Sequence, residues 1–402
     1  MQEKEFDLVK NTKAAERRGD ISAFSVEEAA KARAFHSTFP QYQATPLVSL
    51  RQLAETLGVN SIYLKDESKR FGLNAFKVLG ASYAIANEIS KRIGKEITEL
   101  SAENILSKET KEKIGDITFV TATDGNHGRG VAWTANKLGQ KSVVYMPKGS
   151  ALERLENIRA EGAEAEITDM NYDDAVRMAQ KMAEEKGWIM VQDTAWEGYE
   201  NIPKWIMQGY TTMGHEIMEQ IPERPTHIFL QAGVGSMAGA ITGFFSNLYK
   251  EDKPMIVIVE PAKADCLFQT AKADDGKLHN VTGDMDTIMA GLACGEPCTI
   301  GWDVLKGYAD AFIRCPEYAA ADGMRILASP VKGDTAVTAG ESGAAAFGCM
   351  ANILMDVDLA EWKRLLKLDE DAKILCISTE GDTDKKNYRN VVWGGKYTKY
   401  RE

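Results

Sequence analysis

Two hydrophobic rhythms alternate along the chain. Short apolar runs of four to seven residues, rich in Val, Ile, Phe and Tyr, read as strands buried on both faces. Between them lie longer stretches with apolar residues three or four apart, the spacing of a helix with one buried side. SIYLKD at 61–66 predicts a strand and 77–93 a helix. A charged, helix-rich stretch, KEITELSAENILSKETKEKIG, precedes the strand ITFVTAT at 117–123. A helix through 137, strand SVVYMP (142–147), helix 150–162, strand AEITD, helix 173–186 and strand WIMVQD (188–193) complete a βαβαβαβ unit. A second run follows, with a helix near 203–220, strand HIFLQA (227–232), a helix to 250, and strands MIVIVE (255–260), FIRC (312–315) and KILCIS (373–378).

This alternation predicts an α/β architecture of two domains, each an open, mostly parallel sheet flanked by helices. The middle unit is flanked by strands on both sides, so 93–194 is expected as a small inserted domain within a larger one made of 1–92 and 195–402. Ligands of open α/β sheets bind where strand carboxyl ends face a crevice, which places the expected site between the domains.

Composition narrows the function classes. Of 402 residues, 44% are hydrophobic and 27% charged, with a net charge of −11. That acidity argues against nucleic acid or an anionic membrane as partner. MQEKEFDLVKNTK has no apolar core of a secretory signal, and the longest apolar runs fall well short of the ~20 residues of a spanning helix. The expected location is the cytoplasm. Six cysteines (266, 294, 298, 315, 349, 376) make no disulfide framework and no zinc spacing, and a pairing of Cys266 with Cys294 or Cys298 stays open. No metal site is expected.

Four segments at strand ends carry the candidate chemistry. QAGVGSMAGA (231–240) joins a strand to a helix, leaving the N–H groups of Gly233, Val234, Gly235, Ser236 and Met237 open to an anion. The same glycines, with Glu260 ending the next strand, also resemble a dinucleotide fingerprint, which taken alone favours an NAD oxidoreductase. TATDGNHGRG (121–130) brings Asp124, Asn126 and His127 to one rim; Asp124 could serve only as a helix cap. KILCISTEGDTD ends a strand in the hydroxyls of Ser378 and Thr379. In FGLNAFKVLGASYA, Lys77 stands at a helix start among Phe76, Val78 and Leu79. Such apolar surroundings would lower its pKa towards the nucleophilic neutral amine, whereas Lys65 and Lys69 read as solvated or paired charges. A dehydrogenase has no use for all four segments. Pyridoxal 5'-phosphate does: an amine for its aldehyde, N–H groups for its phosphate, and polar partners for its ring hydroxyl and ring nitrogen.

NAFKVLGA, DGNHGRG, QAGVGSMAG and STEGD together resemble the tryptophan-synthase-β-like, fold type II pyridoxal phosphate enzymes. KDESKRFGLNAFKVLGASYA, TDMNYDDAVR, VQDTAWEGY, IMAGLACGEP and ISTEGDTD resemble, within that superfamily, the diaminopropionate ammonia-lyases from about residue 30 onwards. The resemblance implies a homodimer acting on a small amino acid, converting D- or L-2,3-diaminopropionate and water to pyruvate and two ammonia. It implies Lys77 as the cofactor's covalent anchor, Asn126 at the ring hydroxyl, residues 233–237 at the phosphate, and Ser378 or else Thr379 at the pyridine nitrogen. Lys77 is expected as the base for the L isomer, Asp124 for the D isomer, with Asp193 holding or protonating the β-amine. Ala75 replaces the serine that dehydratases carry before the lysine's neighbour, which disfavours serine or threonine as best substrate. A serine/threonine dehydratase remains the alternative enzyme, and a non-catalytic metabolite-binding relative the alternative of another class.

Overall fold

The computed structural model describes residues 5–399, so the outermost residues of the expected large domain lie outside the described part. Among the described residues, eleven strands form two sheets. They are β1 (Asp7–Lys10), β2 (Leu47–Ser49), β3 (Ser61–Asp66), β4 (Thr118–Ala122), β5 (Lys141–Met146), β6 (Glu164–Ile167), β7 (Ile189–Met190), β8 (His227–Gln231), β9 (Met255–Pro261), β10 (Ala311–Cys315) and β11 (Lys373–Ser378).

The larger sheet has the order β1-β10-β9-β8-β11-β3-β2. Its five inner strands are parallel, and the two edges are antiparallel. β8 and β10 are buried along their whole length, as continuous apolar runs between two helical layers must be. The smaller sheet, β6-β5-β4-β7, is wholly parallel and drawn only from residues 118–190. Both edge strands of the large sheet escaped the sequence reading. DLVK and LVS are too short and too exposed to carry a period.

WIMVQD departs from expectation in an informative way. Only Ile189 and Met190 pair as strand. Beyond them the Gln192 side chain replaces the backbone ladder: its Oε1 accepts the N–H of Ala122 at 2.9 Å and its Nε2 donates to the Ala122 carbonyl at 3.0 Å. The main chain is thus released from the sheet, and Asp193 reaches the crevice between the sheets.

The helix Val78–Ile93 is the beam on which the crevice is built. Gly80 faces Tyr210 and Ile206 so closely that an added Cβ would lie 2.5 Å from the Tyr210 ring. Gly209, on the helix Asn201–Gln220, lies against the Leu79 carbonyl and Gly80 in the same way. On its other side, a Cβ on Gly130 would lie 3.0 Å from the Val78 Cα. Glycine costs a helix about 1 kcal/mol relative to alanine, and here it permits two helices to approach backbone to backbone.

The charged run KDESKR is not a solvated face. Lys65, Glu67 and Arg70 are fully buried. Arg70 bridges Glu67 at 2.8 Å and Glu216 at 2.8 Å, and Lys65 meets Glu216 at 2.6 Å. Thr45 and Tyr42 donate to the same carboxylates. Paired was the correct half of the expectation for Lys65; only Lys69 is exposed. The network fixes the segment leading to Lys77, in which Phe71 and Asn74 adopt positive φ angles of 51° and 62°. Arg70→Met would leave Glu67 and Glu216 buried with only Lys65 between them. We expect a loss of about 3–5 kcal/mol, the usual cost of breaking a buried ion pair from one side, read from the shift in the urea midpoint.

Candidate active site

The carboxyl ends of β8 and β11, the turn after β4 and the released segment after β7 converge on a cavity with about 720 Å³ of free space. Lys77, Asp124, Asn126, Asp193, the 233–237 loop and Thr379 all line it. Segments up to about 300 residues apart in the chain meet there.

Lys77 enters from the start of its helix, as the residue immediately before the first turn. The preceding segment is locked to the end of β11. Ala75 bridges Glu380, the Phe76 N–H donates to the Thr379 carbonyl at 3.1 Å, and the Gly381 N–H donates to the Asn74 carbonyl at 3.0 Å. The lysine ammonium lies 5.3 Å from the Phe76 ring centroid and 5.9 Å from that of Tyr210. The apolar surroundings are therefore present, but their expected effect is overturned. Burial does disfavour the charge; the Asp193 carboxylate, in direct contact with Nζ, outweighs it and holds the ammonium above the ordinary lysine range.

Asp193 is the mirror of this. Burial raises its pKa, yet the Lys77 ammonium in direct contact keeps it ionised, well below the carboxylate range. Its Oδ1 accepts from Tyr172 at 3.2 Å, and its carbonyl accepts from the Ser236 hydroxyl at 2.5 Å. Asp193 thus links the small sheet to the glycine loop of the large one. The Nε2 of His127 lies 2.7 Å from the Val191 carbonyl, which can only accept, so the proton of the neutral ring sits there. Burial pushes the pKa of His127 down, and its Nδ1 is buried without a hydrogen-bond partner, 3.9 Å from Asp193.

Opposite stands the start of the helix Ser236–Tyr249, which has no side-chain cap. The first-turn N–H groups of a helix have no carbonyl within the helix to satisfy them. Gly235 sits at φ 97°, a conformation that a side chain would strain, and turns the chain into that first turn. A phosphate is the complement such a cradle lacks, and it would lie in the same cavity as an amine. The donor set therefore fits pyridoxal phosphate. It does not fit the dinucleotide reading: Glu260 is buried and accepts the N–H groups of Leu267 and Phe268 at 2.9 and 2.6 Å, capping the helix Cys266–Ala273. An acid so engaged does not serve a ribose.

At the end of β11, strand parity decides between two adjacent hydroxyls. Ser378 is fully buried outside the cavity lining, with its hydroxyl 3.4 Å from the Glu380 carbonyl. Of the two hydroxyls expected at this position, Thr379 lines the cavity and Ser378 does not. The Thr379 Oγ1 accepts from Gln231 at 2.9 Å, which leaves its own proton to donate into the cavity.

Asn126 donates to Glu380 at 2.5 Å. Asp124 does not cap the helix Asn126–Lys137, whose cap residue is Gly125 without a side-chain bond. Its Oδ2 instead accepts from Arg154 at 3.0 Å. Burial raises the pKa of Asp124, Arg154 opposes the rise, and Glu380 adds to it. Arg154, Glu341, Glu380, Gln231 and Tyr172 were not among the residues singled out from sequence. Glu380 and Tyr172 lay unremarked inside quoted motifs, and Arg154 sits on an ordinary charged helix with no local signal. All six cysteines are buried free thiols; Cys294 lines the cavity.

Comparison with known proteins agrees with this geometry. Residues 38–380 match the family described as pyridoxal-phosphate dependent enzymes. The diaminopropionate ammonia-lyase of Salmonella typhimurium is 53% identical over 368 residues, 90% of this chain and 91% of that protein. That of Escherichia coli K12 is 50% identical over 378 residues, 93% of each. The crystal structure of the E. coli diaminopropionate ammonia-lyase in complex with D-serine superposes with a TM-score of 0.91 at 46% identity, covering 98% of both chains. The chain belongs to the pyridoxal-phosphate dependent enzymes, in their diaminopropionate ammonia-lyase branch.

Proposed function

We propose that this protein eliminates ammonia from 2,3-diaminopropionate in both its D and L forms, yielding pyruvate and two ammonia per water consumed. The observation that carries the reading is one cavity holding Lys77, two aspartates and an uncapped helix start. Lys77 would anchor the aldehyde carbon, the N–H groups of residues 233–237 the phosphate, Asn126 the ring hydroxyl and Thr379 the ring nitrogen. Bound there, pyridoxal phosphate supplies an electron sink conjugated with the substrate's α-carbon.

The chain's own residues do the rest. Lys77, once its amine is released by the substrate, takes the α-proton of the L isomer. Asp124 takes that of the D isomer, a role supported by the upward pull of burial on its pKa, which brings a carboxylate nearer to a working base. A β-amine leaves as ammonia only when protonated. Asp193, kept ionised, suits holding that ammonium more than supplying its proton. The aminoacrylate set free then hydrolyses to pyruvate and the second ammonia. A hydroxyl at position 379 donates without a full charge, which moderates the sink and favours elimination.

The same proposal includes a cytoplasmic homodimer and a division into a domain of 1–92 and 195–402 with 93–194 inserted. No single helix among the described residues is long and apolar enough to cross a membrane.

Purified protein should be yellow, and borohydride should bleach it and leave the cofactor covalently on Lys77 in a peptide digest. Lys77→Ala should show neither the attachment nor ammonia release; a colourless, inactive wild type saturated with cofactor would sink the reading. Asp124→Asn should lower turnover of the D isomer by about 10²–10⁴-fold, the usual worth of a general base, and spare the L isomer. Equal losses on both isomers would refute the division between Lys77 and Asp124. Sedimentation should give a species of twice the 44.3 kDa chain mass.

A further inference from the structure

Beyond Asp124 lies a second, larger hollow with about 1880 Å³ of free space. It shares Asp124, Tyr172 and Ala290 with the first cavity and opens between the two sheets' loops. Its wall has a marked charge imbalance. Lys148 and Arg154 are its cations, against the carboxylates of Asp124, Asp169, Asp284, Asp286 and Glu341 among others.

The imbalance deepens where the two cavities join. Arg154 is the shared partner of three acids: Asp124 at 3.0 Å, Glu380 at 3.8 Å and Glu341 at 3.9 Å. One guanidinium cannot neutralise three carboxylates. Asp124 takes the short bond. Glu380 is satisfied otherwise, accepting from Asn126, Thr383 and the Ser342 N–H. Glu341 is left short. It is only 1% exposed, and its Oε1 accepts from Asn387 at 2.6 Å, but its Oε2 is buried without a hydrogen-bond partner and lies beyond bonding reach of Arg154. Burial pushes the Glu341 pKa up to about 7, Arg154 opposing and Glu380 assisting. Such a carboxyl, about half ionised near neutral pH, gains the partner its Oε2 lacks when a cation arrives from the hollow that Glu341 lines.

We infer that Glu341, fronted by the acidic wall of the outer hollow, is a transit subsite that reads the second ammonium of a diamino acid on its way to Lys77. The inference rests on the substrate proposed above and adds where the discrimination is made. A monoamino acid such as serine offers one ammonium, which the chemistry at Lys77 must consume. Diaminopropionate has another to spare for Glu341 Oε2 while it passes Asp124. The exposed Asp284 and Asp286 act earlier, attracting a cation over the distance of a Debye length.

The test compares kcat/KM for diaminopropionate with that for serine, both in the holoenzyme. In Glu341→Gln, which keeps the shape and removes the charge, the diaminopropionate-to-serine ratio should fall about tenfold or more. Glu341→Asp should restore part of it. The exposed pair Asp284→Asn with Asp286→Asn should flatten the salt dependence of kcat/KM for diaminopropionate. A parallel loss on both substrates would overturn the inference and leave Glu341 as a support for Arg154 and Asn387. An unchanged ratio would overturn it as well. Failure of the wild type to release ammonia from diaminopropionate would instead refute the functional reading itself, so the two failures are distinct.

Discussion

The contact between Lys77 and Asp193 is the constraint around which the crevice is arranged. A buried ammonium alone, or a buried carboxylate alone, would be driven to its neutral form by desolvation. Together they remain charged and nearly neutral as a pair. Asp193 reaches that position only because Gln192 substitutes its side chain for the last rung of the small sheet. Ser236 then ties the Asp193 backbone to the glycine loop of the large sheet. When the lysine nitrogen is engaged by a cofactor, the carboxylate beside it is left with an unmatched charge. It is then available to a new ammonium, and the substrate brings one. On the function proposed above, the pair would reserve a place for the leaving group.

The other half of the crevice is held by backbone. The bridge from Ala75 to Glu380 and the bond from Phe76 to Thr379 make the lysine segment an extra rung beside the end of β11. Lys77 and Thr379 therefore sit on one hydrogen-bonded unit, whereas Asp124 and Asp193 come from the other sheet. A shift of one sheet against the other would change proton-transfer geometry while leaving the cofactor seated.

Much of this was legible in the amino-acid order. The inner strands announce themselves because burial on both faces demands continuous apolar runs, and the strand-end motifs fall where parallel strands must deliver ligands. What escaped did so for physical reasons. β1 and β2 are edge strands with little buried surface to impose a pattern. Ser378 and Thr379 are one residue apart, which at a strand end means opposite faces, and only Thr379 lines the cavity. The charge state of Lys77 depended on a partner 116 positions away, and a local window of apolar neighbours gave the wrong sign. Arg154 and Glu341 become neighbours only in three dimensions, as do Lys65 and Glu216.

The crossing of Gly80 with Gly209 has a consequence for how such a protein can change. Each glycine occupies space that the other helix's backbone or an adjacent ring already fills. A methyl group at Gly209 would meet the backbone of Leu79 and Gly80, and one at Gly80 the side chains of Tyr210 and Ile206, so either would shift the helix that carries Lys77. Rebuilding this crossing with larger residues therefore calls for matched changes on both helices.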